Sequence, residues 1–146
     1  MLMIYQKKLL DIVTKQEDNT ILHTSLENMK KHKENLLYEL HLPDDQTKQL
    51  LEKLNCYRYV MELPDLEIGS YIRWINLNHG DNIHLTNGSF ICDIMIMDNG
   101  IQIKCRNRFG KFHQLKFDEH LIFQKISEQE HIILNLLESF FSSSLK

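Results

Sequence analysis

The chain has 146 residues, 42% of them hydrophobic and 25% charged, and a formal net charge of −3. That length fits one compact domain or a small domain with a helical extension, and the balance of apolar and charged residues excludes a disordered chain. No run approaches the ~18 apolar residues of a membrane-spanning helix, and the irregularly spaced Cys56, Cys92 and Cys105 form no disulfide framework.

Residues 1–13 begin apolar but take on Lys7, Lys8 and Asp11 too early for a secretory signal, and no small-residue cleavage site follows. The expectation is a soluble protein of a reducing compartment, intracellular and cytoplasmic or nuclear, with no membrane partner. These residues fit a short helix or an extended arm equally well. Over residues 21–40, Leu22, Leu26, Met29, Leu36 and Leu40 fall on one helical face, interrupted once at Lys33. Pro43 ends that helix, because its ring cannot continue the hydrogen-bond ladder. Asp44 and Asp45 suit the positive end of a second helix, whose apolar face is Leu50, Leu51, Leu54, Tyr57 and Val60. The pair reads as an αα-hairpin within a helical region over residues 1–62.

Pro64 and Asp65 mark the start of a β region over residues 63–126. Residues 69–77 alternate as a strand, residues 78–82 form a loop, and Asn87-Gly88 is a strong turn signal. Residues 90–97 follow, with Phe90, Cys92, Ile94 and Ile96 expected on one face. After Asp98-Asn99-Gly100, Ile101, Ile103 and Cys105 alternate with Gln102, Lys104 and Arg106, the period-2 mark of a half-buried strand. This hairpin is expected to bury Ile94, Ile96, Ile101 and Ile103. The chain turns at residues 108–111, returns over residues 112–117 with Leu115 and Phe117 inward, and adds a last strand over residues 121–126. Ser127 and Glu130 form a capping box ahead of a helix with Ile132, Ile133, Leu136, Leu137 and Phe140 on its apolar face. Residues 142–144, all serine, read as a frayed tail in the final segment, 127–146.

The fold expected is therefore α+β: an N-terminal helical hairpin, a small antiparallel five-stranded β-barrel and a C-terminal helix. The order of elements over residues 66–126 resembles the small SH3-like and Sm-like β-barrel domains. The composition, which lacks alanine altogether and is rich in Leu, Ile, Asn and Lys, resembles that of small proteins of large DNA viruses. Neither likeness carries a binding residue with it.

Residues 101–117 hold Lys104, Arg106, Arg108, Lys111 and Lys116 and no acid, between segments that are net acidic. Lys104, Arg106, Arg108 and Lys111, with Phe109 among them, are the candidate nucleic-acid-binding residues. Cations neutralise phosphates with release of counterions, and an exposed ring can stack on a base. The competing explanation is a solvated strand face whose charge prevents edge-to-edge aggregation. Tyr57, Tyr71 and Trp74 can line an aromatic ligand groove, against the simpler role of Trp74 as a core anchor. The Leu22, Leu26, Met29, Leu36 and Leu40 stripe is the candidate protein-interaction surface, including self-association into a homo-oligomer. The eight histidines are dispersed without paired metal-ligand spacing. No nucleophile elbow and no phosphate-binding glycine loop occurs. The single acid of the 90–97 strand, Asp93, is expected to face solvent.

These features point to no enzyme, no catalytic residue, no metal and no cofactor. The leading functional expectation is an adaptor or assembly protein, viral on the resemblance of its composition, that binds protein partners through a small barrel and helices. The alternative is a nucleic-acid-binding module, for DNA or RNA, using the basic hairpin at 101–117.

Overall fold

A computed structural model describes residues 26–79 and 82–144. Leu22, the 1–13 arm and part of the 78–82 loop lie outside the described residues, as does the side chain of Leu26. Three helices are described: α1 (Leu26–Tyr38), α2 (Asp44–Lys53) and α3 (Glu128–Ser144). The strands are β1 (Tyr57–Tyr59), β2 (Tyr71–Asn76), β3 (Ser89–Met97), β4 (Gly100–Arg106), β5 (Phe112–Lys116) and β6 (His120–Lys125). The chain divides into two compact units, one of residues 1–42 with 126–146 and the other of residues 43–125.

In the first unit, α1 meets α3. The buried positions of α1 are Lys33 and Leu37, one turn apart, while Met29, Leu36 and Leu40 are half-buried. Lys33, which interrupts the leucine stripe in the sequence, thus lies on the covered side, where a lysine stem can run along apolar surface. The backbone of His41, at φ 55°, turns the chain out of α1. α3 starts as its capping signal predicts: the Glu130 N–H donates to Ser127 Oγ at 3.0 Å. It buries Ile133, Leu134 and Leu137 and runs through Ser144, so the serines expected as a frayed tail are helical.

In the second unit, α2 opens on Asp44 and Asp45 and closes on Lys53, charges that complement its dipole at both ends. Thr47, Leu50 and Leu54 are buried. The helix stops before Tyr57. The three-residue spacing of Leu54, Tyr57 and Val60 imitates a helical face, but Tyr57-Arg58-Tyr59 forms β1, pairing with β6 through Tyr57↔Lys125 and Tyr59↔Phe123.

The sheet is antiparallel throughout, in the order β1-β6-β2-β3-β4-β5. It has six strands instead of the expected five, and it is open. β6 uses one edge on β2 and the other on β1, so it has none left with which to meet β5 and close a barrel. The sheet nevertheless curls. The Trp74 ring on β2 and the His113 ring on β5 stand 5.9 Å apart, whereas strands three positions apart in a flat sheet are separated by about 14 Å. The concave face holds the core: Val60, Leu66, Ile72, Trp74, Ile91, Ile103, Cys105, Leu115 and Ile122, with Leu63, Ile94 and Phe117 packed against it. Each fully buried aliphatic side chain here contributes about 1.5–3 kcal/mol. β6 is buried on both faces, by Ile122 and Gln124 on one and Leu121 and Phe123 on the other. The buried Gln124 amide is fully engaged, accepting from the Glu67 N–H at 2.9 Å and donating to the Asp65 carbonyl at 3.2 Å.

The β3–β4 ladder is interrupted between Ile91 and Asp93. Cys92 is an extra residue there, a β-bulge that reverses the phase of the strand. Ile91 and Ile94 both turn to the core, while Phe90 and Cys92 are exposed. Phe90, Cys92, Ile94 and Ile96 therefore do not share a face. Ile103 is fully buried, Ile94 and Ile101 are half-buried, and Ile96 is 82% exposed because the end of the hairpin projects past the core.

Burial, with a smaller contribution from the Cys92 thiol, pushes the Cys105 thiol from its ordinary 9.0 up to about 12. Below pH 9 both folded and unfolded chains hold this proton. Between pH 9 and 12 only the folded chain does, so stability falls as pH rises through that window. At pH 8 a thiol reagent should modify Cys56 and Cys92 in the native protein and reach Cys105 only on unfolding. Denaturant midpoints should move down from pH 9 to pH 11, and a Cys105→Val chain should lose most of that dependence.

Candidate nucleic-acid interface

The register places four side chains in one row across the convex face. Tyr71 on β2 pairs with Phe90 on β3, Phe90 with Arg106 on β4, and Arg106 with Phe112 on β5. Paired residues of neighbouring strands project to the same side. The Tyr71 and Phe90 rings meet edge-on at 4.9 Å. The Arg106 guanidinium lies 5.7 Å from the Phe112 centroid, and the Lys104 ammonium 4.9 Å from it. Phe90, on the inner strand β3, and Phe112, at the start of the outer strand β5, are 46% and 55% exposed. The alternation expected of β4 holds, with Ile103 and Cys105 inward and Lys104 and Arg106 outward.

The row leads to the β4–β5 turn, which is tightly built. Asn107 Oδ1 accepts from the backbone N–H of Phe109 at 3.0 Å and of Lys111 at 2.9 Å. The Asn107 N–H donates to the Lys111 carbonyl at 2.9 Å, and Gly110, at φ +83°, closes the turn with a bond to the Asn107 carbonyl at 3.0 Å. This frame holds Phe109, 82% exposed, away from the body of the sheet, with the Arg108 guanidinium 5.1 Å from its ring centroid. Lys111 is exposed. Lys116 has a carboxylate neighbour, Glu119, at 3.9 Å. Asp93 is exposed, as expected, and sits opposite Lys104 in the ladder, its Oδ1 accepting from the Ile94 N–H at 2.9 Å. The five residues singled out from the sequence, Lys104, Arg106, Arg108, Phe109 and Lys111, thus fall on one hairpin and its tip.

Two clefts flank that tip. One, of about 340 Å³, is lined by Tyr71, Arg73, Asn87, Gly88, Asn107, Arg108 and Phe109. Arg73 Nε donates to the Thr86 carbonyl at 2.7 Å, and the Tyr71 hydroxyl to the Asn87 carbonyl at 2.8 Å. Gly88 stands at φ +107°, and a Cβ there would come within 2.5 Å of the Tyr71 ring and 2.7 Å of the Ile72 carbonyl. Among the described residues, neither cleft has a carboxylate in its lining.

Other candidates disperse. Trp74 belongs to the core, only 6% exposed, and Tyr57 is half-buried at the β1 edge. Burial raises the Tyr57 hydroxyl, with Arg73 opposing, and raises that of Tyr59. Among the described residues no three His, Cys, Asp or Glu side chains come together as a metal site. No described helix is long and apolar enough to cross a membrane. No protein-family model matches the chain, and no curated protein or solved structure is significantly similar to it.

Sequence reading named Tyr71 only as part of an aromatic ligand groove, and it missed Phe90, Phe112 and Arg73 as members of this surface. Phe112 was accessible by parity, since Leu115 inward places Phe112 outward. Phe90 was not, because the bulge that exposes it has no signature in the residues.

Asn107→Ala removes two hydrogen bonds from the tip at once. It should lower stability by about 1–2 kcal/mol and speed amide exchange at Phe109 and Lys111 while leaving Ile103 and Cys105 protected. Unchanged exchange at the two tip amides would mean that the turn is held by something else.

Proposed function

We propose that this protein binds single-stranded nucleic acid on the convex face of β2–β5, without catalysing a reaction. The observation that carries this reading is the unbroken row Tyr71, Phe90, Arg106 and Phe112, flanked by Lys104 and ending at Arg108 and Phe109. Exposed rings lose little by being covered, and base stacking on such rings is worth about 1–3 kcal/mol per base. The interleaved cations supply the counterion-release term for the phosphates. Each cation already rests near a ring, an exposed arrangement worth about 0.5–1 kcal/mol, so the surface is organised before a strand arrives. The row crosses three strand intervals, about 14 Å, the length of about four stacked nucleotides at 3.4 Å each.

A labelled oligonucleotide of mixed sequence tests this reading. Affinity should fall linearly on a log–log salt plot with a slope of roughly one per phosphate contacted. Reversing Arg106 and Arg108 together to Glu should weaken binding at least tenfold, about 1.4 kcal/mol, without unfolding the protein, because both side chains are exposed. Phe109→Ala should weaken single-stranded ligands more than duplex. Absence of binding by the wild type at low salt, where attraction is strongest, would leave the basic hairpin as a solvated face.

A protein adaptor is the second reading, and one observation favours it. Ile132 and Leu136, one turn apart on α3, are 43% and 53% exposed. Binding that survives high salt, or a dimer in light scattering abolished by Leu136→Asp, would favour that reading over the first.

A further inference from the structure

The second cleft beside the hairpin tip, about 450 Å³, opens between the 84–89 segment and the start of β5. We propose that it receives a single phosphorylated nucleotide unit, its phosphate against Lys111 and its base beside the Trp74 and His113 rings. The inference rests on the nucleic-acid reading for its ligand class, and it adds a discrete pocket to what is otherwise an open stacking surface.

The volume falls in the range of small-ligand sites, about 300–1,000 Å³. Lys111, exposed, and the half-buried His113 line the cleft, and among the described residues no carboxylate does. Its lining also includes the half-buried His113 ring, which meets the buried Trp74 ring edge-on with centroids 5.9 Å apart. Ser89 lines the same cleft and is fully buried, and its hydroxyl has no hydrogen-bond partner among the described residues. A buried hydroxyl left unsatisfied is uncommon and carries a cost until it finds a partner. Asn107 lines both clefts, with its Oδ1 committed to the turn and its amide N–H groups still available to donate. A strand laid along the aromatic row can therefore pass the tip at Asn107 and place its terminal unit in the cleft.

Trp74 is the only tryptophan in the chain, so its fluorescence reports occupancy of this cleft alone. Uridine 5′-monophosphate should change that fluorescence saturably, whereas uridine or inorganic phosphate should each need at least tenfold higher concentration. Lys111→Gln, at an exposed position, should erase the preference for the monophosphate over uridine. His113→Ala should weaken saturation at least tenfold. Phe112→Ala should weaken oligonucleotide binding, read by anisotropy, and leave the mononucleotide response intact. If the oligonucleotide binds while no mononucleotide moves the Trp74 signal, the cleft proposal fails and the stacking surface stands. If the mononucleotide saturates but no oligonucleotide binds, the cleft stands and the stacking surface fails. A response that inorganic phosphate reproduces at the same concentration would reduce the cleft to an unselective anion site and overturn the proposal.

Discussion

One inserted residue organises the surface of this protein. Cys92 sits in β3 without a partner in β4, and the ladder on either side of it is offset by that one position. With strict alternation, Ile91 and Ile94 would point to opposite faces. The bulge lets both reach the core, and it leaves Phe90 opposite Arg106 on the convex side. The aromatic–cationic row exists because the interior is satisfied: Ile91 fills the concave face, so the larger ring beside it is excluded from it. The exposed aromatic–cationic row and the core are two outcomes of the same backbone irregularity.

The remaining geometry follows from how the strands are shared. β6 is central and covered on both faces, and its Gln124 fastens the segment that leads into β2. The two outer strands, β1 and β5, do not pair, so the sheet is open and the β4–β5 tip lies at its edge. Curling brings Trp74 and His113 together on the inner side. On the outer side, the β4–β5 part that carries Lys104, Arg106 and Phe112 is exposed. Charge is concentrated there in a chain whose net charge is negative, so an anionic strand would be attracted to this hairpin and repelled elsewhere.

Much of this was legible in the residues, element by element. The turn at residues 98–100, the alternation of β4 and the capping serine at 127 each rest on a local rule, and each appears where the rule places it. Local rules failed where two periodicities coincided. Leu54, Tyr57 and Val60 satisfy a helical spacing, yet Tyr57-Arg58-Tyr59 alternates as well and has a strand edge on β6 to join. The sixth strand and the open sheet follow from that one choice. The leucine stripe of α1 was also only partly informative, since Lys33 lies on the covered side with Leu37 while Met29, Leu36 and Leu40 are only half-covered. The candidate site was half legible. Its cations announce themselves by composition, whereas Phe90 depends on the bulge and Arg73 on a long-range meeting of β2 with the hairpin tip.

Gly88 ties the history of this surface to the history of one turn. Its positive φ and the closeness of the Tyr71 ring mean that any side chain at this position strains the backbone and displaces the first ring of the row together. A lineage that loses this glycine loses the start of the aromatic row in the same step, and the core beneath need not change at all. Ile96, 82% exposed at the end of the β3–β4 hairpin, is free to change without disturbing the row. Descent with an unchanged surface should therefore hold position 88 fixed while the exposed end of the β3–β4 hairpin diverges.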